Sequence, residues 1–257
     1  MSYGSWGSRL PLVNIVVSRS LFVVVHSRLF WLKLKNKLRN CNKNTKPLEN
    51  NSEQVARNFK SWLDKDFTKL NIGGGRKNLN GFVNIDFVPH SGVQREVIAN
   101  ILDLGFIPDH SLSQVHSNHV IEHLTDNSLN SQLKEYWRIL KKDGLLTIRC
   151  PNALGVAYGF WFDPVLEDER DEFLALGFPE EEDFSNPEDT WAHRDIFGFI
   201  HWIYGDVGNV ENQHLNLITP TKLKILLEYY SFDIVKMSKP EALNLVVVAR
   251  KAMNKDA

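Results

Sequence analysis

Two neighbouring stretches decide the fold: Lys69-Leu-Asn-Ile-Gly-Gly-Gly75 and, a few residues on, Gly81-Phe-Val-Asn-Ile-Asp86. Each contains a short, mostly apolar run of strand type. The first ends in three consecutive glycines, Gly73, Gly74 and Gly75, where the backbone can adopt positive φ and come close to a ligand. N–H groups exposed past a strand end can hold a carboxylate or a phosphate. The second run ends on Asp86, and an acid at that place can accept both hydroxyls of a ribose. A triple glycine alone is equally a plain tight turn; its pairing with Asp86 favours a binding site. Only about ten residues join Gly73 to the second strand, too few for a crossover carrying a full helix. The connection is expected to hold a single helical turn or none. A dinucleotide site suffers from this, because it wants a helix N-terminus beneath a pyrophosphate. A ligand without phosphate suffers less.

Working outward, short apolar runs alternate with helical periodicity. Strands are expected at Lys69–Ile72, Phe82–Asp86, Val97–Asn100, Ser113–Ser117, Leu145–Arg149, Phe232–Lys236 and Leu243–Arg250. Helices are expected at Glu53–Asp66, Ser128–Leu140 and Pro220–Tyr230. This alternation predicts an α/β fold of Rossmann-like type, a seven-stranded and mostly parallel sheet covered by helices. The last two runs are separated by only a few residues around Lys239-Pro240, too short for a parallel crossover, so the final strand is expected to be antiparallel.

Two regions stand apart from this core. Residues 1–52 read as a basic extension and linker, followed by one larger domain over 53–257. The first acid is Glu49, and nine basic residues precede it, leaving 21 basic against 31 acidic side chains in the remainder. Arg19, His26 and Arg28 break the apolar stretch from Leu10 to Leu32, so it is not a spanning helix. From Leu29 to Arg39 bulky apolar side chains mix with Lys and Arg, which suits contact of residues 10–46 with an anionic membrane surface; an extension without fixed structure and an organellar targeting segment are the other readings. The second region, 152–216, is an insertion between sheet elements. Twelve acids fall between Asp163 and Asp189, with Arg170 the only base, and aromatics are dense. Such acidity disfavours nucleic acid as a partner. The two cysteines, Cys41 and Cys150, offer neither a disulfide framework nor metal-ligand spacing, and a cytoplasmic chain, peripheral at a membrane if the basic head binds one, is expected.

Five segments in order carry a specific resemblance: Leu70-Asn-Ile-Gly-Gly-Gly75, Gly81-Phe-Val-Asn-Ile-Asp86, Asp103-Leu104, His119-Val-Ile-Glu-His-Leu124 and Arg138-Ile-Leu-Lys-Lys-Asp-Gly-Leu-Leu146. Together they resemble the class I S-adenosylmethionine-dependent methyltransferases, in the branch often called type 11, common in polysaccharide and lipid biosynthesis. The resemblance covers about Lys69–Lys251, more loosely across the insertion. It implies S-adenosyl-L-methionine as cofactor, with Asn71 and the Gly73–Gly75 turn at its methionine part and Asp86 on the ribose. It implies Asp103 at the adenine amino group, Leu104 beside the ring, and Asn118 and His119 flanking the sulfonium. Two positions depart from the family pattern: Arg76-Lys77 stands where a further glycine is common, and Ser111-Leu112-Ser113 where an aspartate usually precedes the fourth strand.

Methyl transfer from a sulfonium needs alignment above all, and a base only where the acceptor must lose a proton. His119, His123 and His214 are the candidates, each of which is equally read as a structural histidine. The resemblance implies a small-molecule acceptor, of saccharide or lipid-linked type; the aromatic faces of 152–216, which suit sugars or planar groups, make that insertion the expected acceptor lid. A catalytically silent module that binds the same cofactor is the alternative. A remote rival lies in His119-Val-Ile-Glu122-His123, which matches the H-x-x-E-H pattern of inverzincin peptidases. That pattern needs a long helix, whereas here it follows a strand and meets Thr125-Asp126-Asn127-Ser128 at once. No metal site is therefore expected. The oligomeric state is not encoded legibly.

Overall fold

In the computed structural model, the described residues are 52–161, 169–179, 196–205 and 212–252. All belong to a compact unit spanning Asn44–Ala257. The readings made on residues 1–51, and those on 162–168, 180–195 and 206–211 within the insertion, lie outside the described residues.

Helix α1 (Ser52–Leu63) is followed by β1 (Lys69–Ile72), β2 (Phe82–Asp86), β3 (Glu96–Ile98) and β4 (Leu112–Asn118). After a single 3₁₀ turn at Ile121–His123 come α2 (Asp126–Ile139) and β5 (Leu140–Pro151). The insertion supplies α3 (Ala153–Trp161), α4 (Arg170–Ala175) and α5 (Ile196–Tyr204); α6 (Pro220–Tyr229), β6 (Phe232–Met237) and β7 (Asn244–Lys251) complete the unit. The seven strands lie in the order β3-β2-β1-β4-β5-β7-β6. Pairings from β3 through β5 are parallel, and β7 runs antiparallel to both β5 and β6. No helix occupies the β1–β2 connection, as the short spacing requires.

The helix ends have local causes. Thr125 caps α2, its hydroxyl accepting from Ser128 N at 3.2 Å, and Thr219 caps α6 with Pro220 at its first turn; both patterns satisfy N–H groups that a helix start leaves orphaned. The apolar faces of α1 (Val55, Phe59), α2 (Leu129, Leu133, Tyr136, Ile139) and α6 (Leu223, Leu227) join Leu70, Ile72, Val83, Ile85, Val115, Leu146 and Ile148 of the strands in one core. Strand alternation splits β7 between two cores: Leu245, Val247 and Ala249 face that main core, while Val246 and Val248 meet Phe173 and Phe178 around α4. A third small cluster joins Val156 of α3 to Trp202 and Ile203 of α5, so the insertion has apolar packing of its own. None of the described helices is long and apolar enough to cross a membrane.

The registers also align a polar row across the strands: Asn84, Asn71, His116 and Thr147 are successive cross-strand partners. These buried groups satisfy one another, as burial of polar atoms demands. Asn71 Nδ2 donates to Asn84 Oδ1 at 2.9 Å, and His116 Nδ1 lies 2.8 Å from Thr147 Oγ1.

Candidate functional site

Because β1 to β4 are parallel, their carboxyl ends share one edge of the sheet. Gly73, Asp86, the loop after β3 and His119 all stand at that edge. The chain order also reverses there, since β1 is flanked by β2 on one side and β4 on the other, and such a switch point leaves a crevice beyond the strand ends.

The glycine turn is shaped by close contacts. Gly73 has φ of 61° and donates its N–H to Ile85 O at 2.8 Å. A Cβ on Gly73 would stand 2.7 Å from Val120 Cγ2, and one on Gly74 would stand 2.5 Å from Asn71 Nδ2 and 2.8 Å from Asn84 Oδ1. The Asn71–Asn84 pair therefore supports the turn from beneath, with Asn84 Nδ2 also donating to Lys77 O. Asn71, which the resemblance set at the methionine part, commits its amide nitrogen to this support.

Asp86 closes the other side. Its side chain is buried in the cleft edge, at 5% exposure. Oδ2 accepts from Gly75 N at 3.0 Å, and Oδ1 accepts from Phe87 N at 2.7 Å and, at longer range, from Val88 N at 3.4 Å. A carboxylate offers about four acceptor positions, so two strong bonds fix its orientation and leave capacity for a diol. After β3, Ala99 N donates to Asp86 O at 2.9 Å, which draws the following loop toward β2. Asp103 is exposed on that loop, its Oδ1 3.4 Å from Gly105 N, and Leu104 is buried beneath. Arg138 of α2 anchors the loop by donating to the carbonyls of Leu104 and Ile107 at 2.9 and 2.8 Å.

At the end of β4, Asn118 is followed by His119 in a left-handed conformation, φ 53°. This reversal turns the chain into the 3₁₀ segment and sets Val120 against Gly73. His119 Nε2 lies 3.3 Å from Arg149 Nη1, and its Nδ1 lies 3.0 Å from Glu122 Oε1. A guanidinium only donates, so Nε2 accepts and Nδ1–H donates to the carboxylate. Both nitrogens of His119 are thereby engaged. It and His123 do not share the face of a long helix, which removes the peptidase geometry.

Glu122 is 1% exposed. Burial alone would raise its pKa; the hydrogen bond from His119 and the electrostatic pull of the His119 and His123 rings outweigh this and hold it below the ordinary glutamate value. Its Oε2 has no hydrogen-bond partner among the described residues. The backbone carbonyl of Glu122 accepts from Leu215 N and Asn216 N at 2.8 and 3.0 Å. That bond pair brings the end of the insertion to β4, and with it His214. The rings of His123 and His214 meet edge-on at 5.0 Å. His123 Nδ1 is 3.0 Å from Gln213 O, and His214 Nδ1 is 3.0 Å from Trp202 O. Carbonyls only accept, so both Nδ1 atoms carry hydrogen and each neutral ring keeps its lone pair on Nε2. Burial pushes the His214 pKa below its ordinary value, against the pull of Glu122. Cys150 is fully buried, and burial, reinforced by Glu122, holds it as a thiol.

The structure thus groups Gly73–Gly75 with Asp86, and His119 with Glu122, while His123 and His214 meet from distant parts of the chain. Sequence reasoning had not singled out Arg149 or Asn84. The signal for Arg149 is its place at the end of β5, level with Asn118 in the register. For Asn84 it is the repeated asparagine in Leu70-Asn-Ile and Val83-Asn-Ile.

Residues 76–148 match the family described as Methyltransferase domain, a span that starts at the end of the glycine turn and contains Asp86, Asp103 and the 118–124 turn. No curated protein matches the chain in sequence. Solved structures similar to it include Burkholderia thailandensis 1,6-didemethyltoxoflavin-N1-methyltransferase with bound 1,6-didemethyltoxoflavin and S-adenosylhomocysteine, at 14% identity over 96% of this chain and 94% of that one, TM-score 0.43. An Archaeoglobus fulgidus SAM-dependent methyltransferase is 14% identical over 86% of this chain and all of that one, 100%, TM-score 0.42. One from Methanosarcina mazei is 17% identical over 72% and 92%, TM-score 0.43. The strand order and the turn–carboxylate site agree with the family match, and residues 76–148 are thereby read as a methyltransferase domain.

Proposed function

We propose that the crevice at the strand ends binds S-adenosylmethionine and that the chain passes its methyl group to a hydroxyl of a small acceptor, of saccharide or lipid-linked type. The observation that carries this is Asp86, held by Gly75 N and Phe87 N with acceptor capacity to spare. In this reading Asp86 takes the ribose hydroxyls, and the Gly73–Gly75 turn lies along the methionine part. Asp103 reaches the adenine amino group, with Leu104 beside the ring. Asn118 and His119 line the sulfonium.

The acceptor enters from the insertion. Trp161 and Tyr204, with Leu154 and Leu215, keep half or more of their surface exposed, and the two aromatic faces suit sugars and planar groups. His123, in the turn after β4, meets His214 from the end of the insertion. As the acceptor oxygen forms its bond to the methyl carbon, the carbon–sulfur electron pair returns to sulfur and the thioether departs. The hydroxyl proton leaves toward this histidine pair, with His214 Nε2 the available lone pair. Residues 10–46 would hold the enzyme at an anionic membrane surface, where a lipid-linked acceptor resides.

Isothermal titration with S-adenosylmethionine and S-adenosylhomocysteine tests the cofactor assignment. Release of S-adenosylhomocysteine on addition of hydroxylated saccharide and lipid-linked acceptors tests transfer. Absence of binding to either nucleoside overturns the assignment. Binding without release across the acceptor panel overturns the acceptor class.

A further inference from the structure

We infer that Glu122, His123 and His214 form a binding site for a divalent cation on the acceptor side of the crevice. Each offers one ligand atom, a carboxylate oxygen or an imidazole nitrogen, and these atoms all lie within 4.8 Å of one another. At metal–ligand distances of about 2.0–2.2 Å, tetrahedral ligands stand roughly 3.4 Å apart. The three groups need to approach by no more than about 1.4 Å, a closure that side-chain torsions supply.

Three further features fit a cation rather than a set of structural histidines. Both imidazoles donate Nδ1–H to backbone carbonyls, Gln213 O and Trp202 O, at 3.0 Å. This is the arrangement that orients a ligating histidine and presents its Nε2 lone pair. Glu122 is buried, yet Oε2 has no hydrogen-bond partner among the described residues, and a buried anionic oxygen left so is costly unless something fills the gap. His119 holds Oε1 at 3.0 Å, and the same oxygen lies 3.9 Å from His123 Nε2, so the carboxylate is fixed beside the imidazole as an outer partner fixes a ligand in a metal site.

The set differs from the H-x-x-E-H zinc pattern considered from the sequence. His119 serves as the orienting partner, and His214, from the end of the insertion, takes the place of the second ligand. Two imidazoles with one carboxylate favour a first-row transition ion over magnesium or calcium, which prefer oxygen ligands alone. Three protein ligands leave open positions for water and an acceptor oxygen. Resting on the methyl-transfer reading above, the ion gives the site its acceptor chemistry: it binds the acceptor hydroxyl and lowers its pKa. With the ion bound, His214 Nε2 is a ligand and no longer the proton acceptor named above; the hydroxyl proton passes to solvent water instead, and the oxygen lone pair attacks the methyl carbon as the carbon–sulfur pair returns to sulfur.

The test uses the full chain without an affinity tag, stripped with chelator and titrated with Co²⁺, with S-adenosylhomocysteine titrated in parallel. The expected result is one Co²⁺ per chain with visible d–d absorption, displaced by Zn²⁺. Partners one step out from the ligands are worth about 10–100-fold in metal affinity, so His214→Ala and Glu122→Gln should each weaken Co²⁺ binding by more than about a hundredfold. Glu122 is buried and its replacement carries a stability cost. His214 is half-buried, so His214→Ala is the ligand deletion that keeps the fold, verified by unchanged S-adenosylhomocysteine binding. No saturable Co²⁺ absorption in the wild type, or an absorption both variants retain, overturns the site. Co²⁺ binding without S-adenosylhomocysteine binding leaves the metal site standing and overturns the cofactor reading instead.

Discussion

Replacing Asp86 with asparagine is the sharpest probe of the cofactor pocket, because it removes charge with almost no change in shape. The carboxylate oxygens accept from Gly75 N at 3.0 Å on one side and from Phe87 N at 2.7 Å on the other. An asparagine amide can satisfy only one of these. If its oxygen keeps the shorter bond to Phe87, its NH₂ faces Gly75 N–H, donor against donor. An unsatisfied buried donor costs about 1–3 kcal/mol, which for a domain of this size lowers Tm by roughly 2–12 °C. The ligand term is separate. Hydrogen bonds to a charged acceptor are worth about 1.5–3 kcal/mol and neutral ones about 0.5–1.5. Two ribose hydroxyls thus lose about 2 kcal/mol together, close to a thirtyfold weaker Kd. Isothermal titration with S-adenosylhomocysteine isolates binding from chemistry, and circular dichroism melting reports the turn. An Asp86→Asn protein that melts with the wild type and binds within about twofold of it would refute the placement of the ribose on Asp86.

Three further outcomes follow from the geometry. Gly74→Ala drives a Cβ to 2.5 Å from Asn71 Nδ2; overpacking of this kind costs about 1–3 kcal/mol, so urea titration should show that loss and titration with S-adenosylhomocysteine a weaker affinity. His214→Ala should lower kcat by about 10²–10⁴-fold while leaving S-adenosylhomocysteine affinity nearly unchanged, and equal losses in both would place His214 at the cofactor instead. Lys251, with Nζ 3.8 Å from the Trp137 ring centroid and 2.7 Å from Leu140 O, has its pKa pushed by burial from 10.5 down to about 8. Between pH 8 and 10.5 the unfolded chain therefore binds more protons at this site than the folded one, and stability rises with pH across that window. Lys251→Met should flatten the rise in denaturant midpoints, and an identical pH slope in the variant would exclude Lys251 as its source.

Much of the fold was legible because its signals are local. β1 and β2 run where the sequence sets them, each bounded by a chemical stop, the glycines for one and Asp86 for the other. The antiparallel β7 follows from the short link around Pro240. Differences arise where distant contacts extend or trim an element. The fifth strand was expected at Leu145–Arg149, yet β5 runs from Leu140 to Pro151, because Leu140 pairs with Leu112 across an irregularity in β4. Nothing near Leu140 encodes that partner. The helix expected to reach Asp66 stops at Leu63, where Asp66 takes φ of 65° and Phe67 N turns back to Trp62 O. α2 starts at Asp126 rather than Ser128, since Thr125 supplies the cap.

The site divides along the same physical line. Gly73, Asp86 and His119 could be read as neighbours because β/α alternation sends every parallel strand end to one edge, and that rule needs only the order of the strands. The meeting of His214 with Glu122 and His123 obeys no such rule. It is made by Leu215 N and Asn216 N donating to the Glu122 carbonyl, backbone bonds that any residues could form. The sequence also named three histidines as equal candidates for a base, and the structure separates them by their second nitrogens. His119 has both atoms engaged, by Arg149 and Glu122, whereas His123 and His214 spend only Nδ1, on the carbonyls of Gln213 and Trp202. Whether a histidine orients a neighbour or offers a lone pair thus depends here on carbonyl oxygens, which carry no residue identity. For His123 and His214 the chemistry is set by where the backbone passes, and that is why side-chain motifs alone could not separate them from His119, the one ring of the three with nothing left to give.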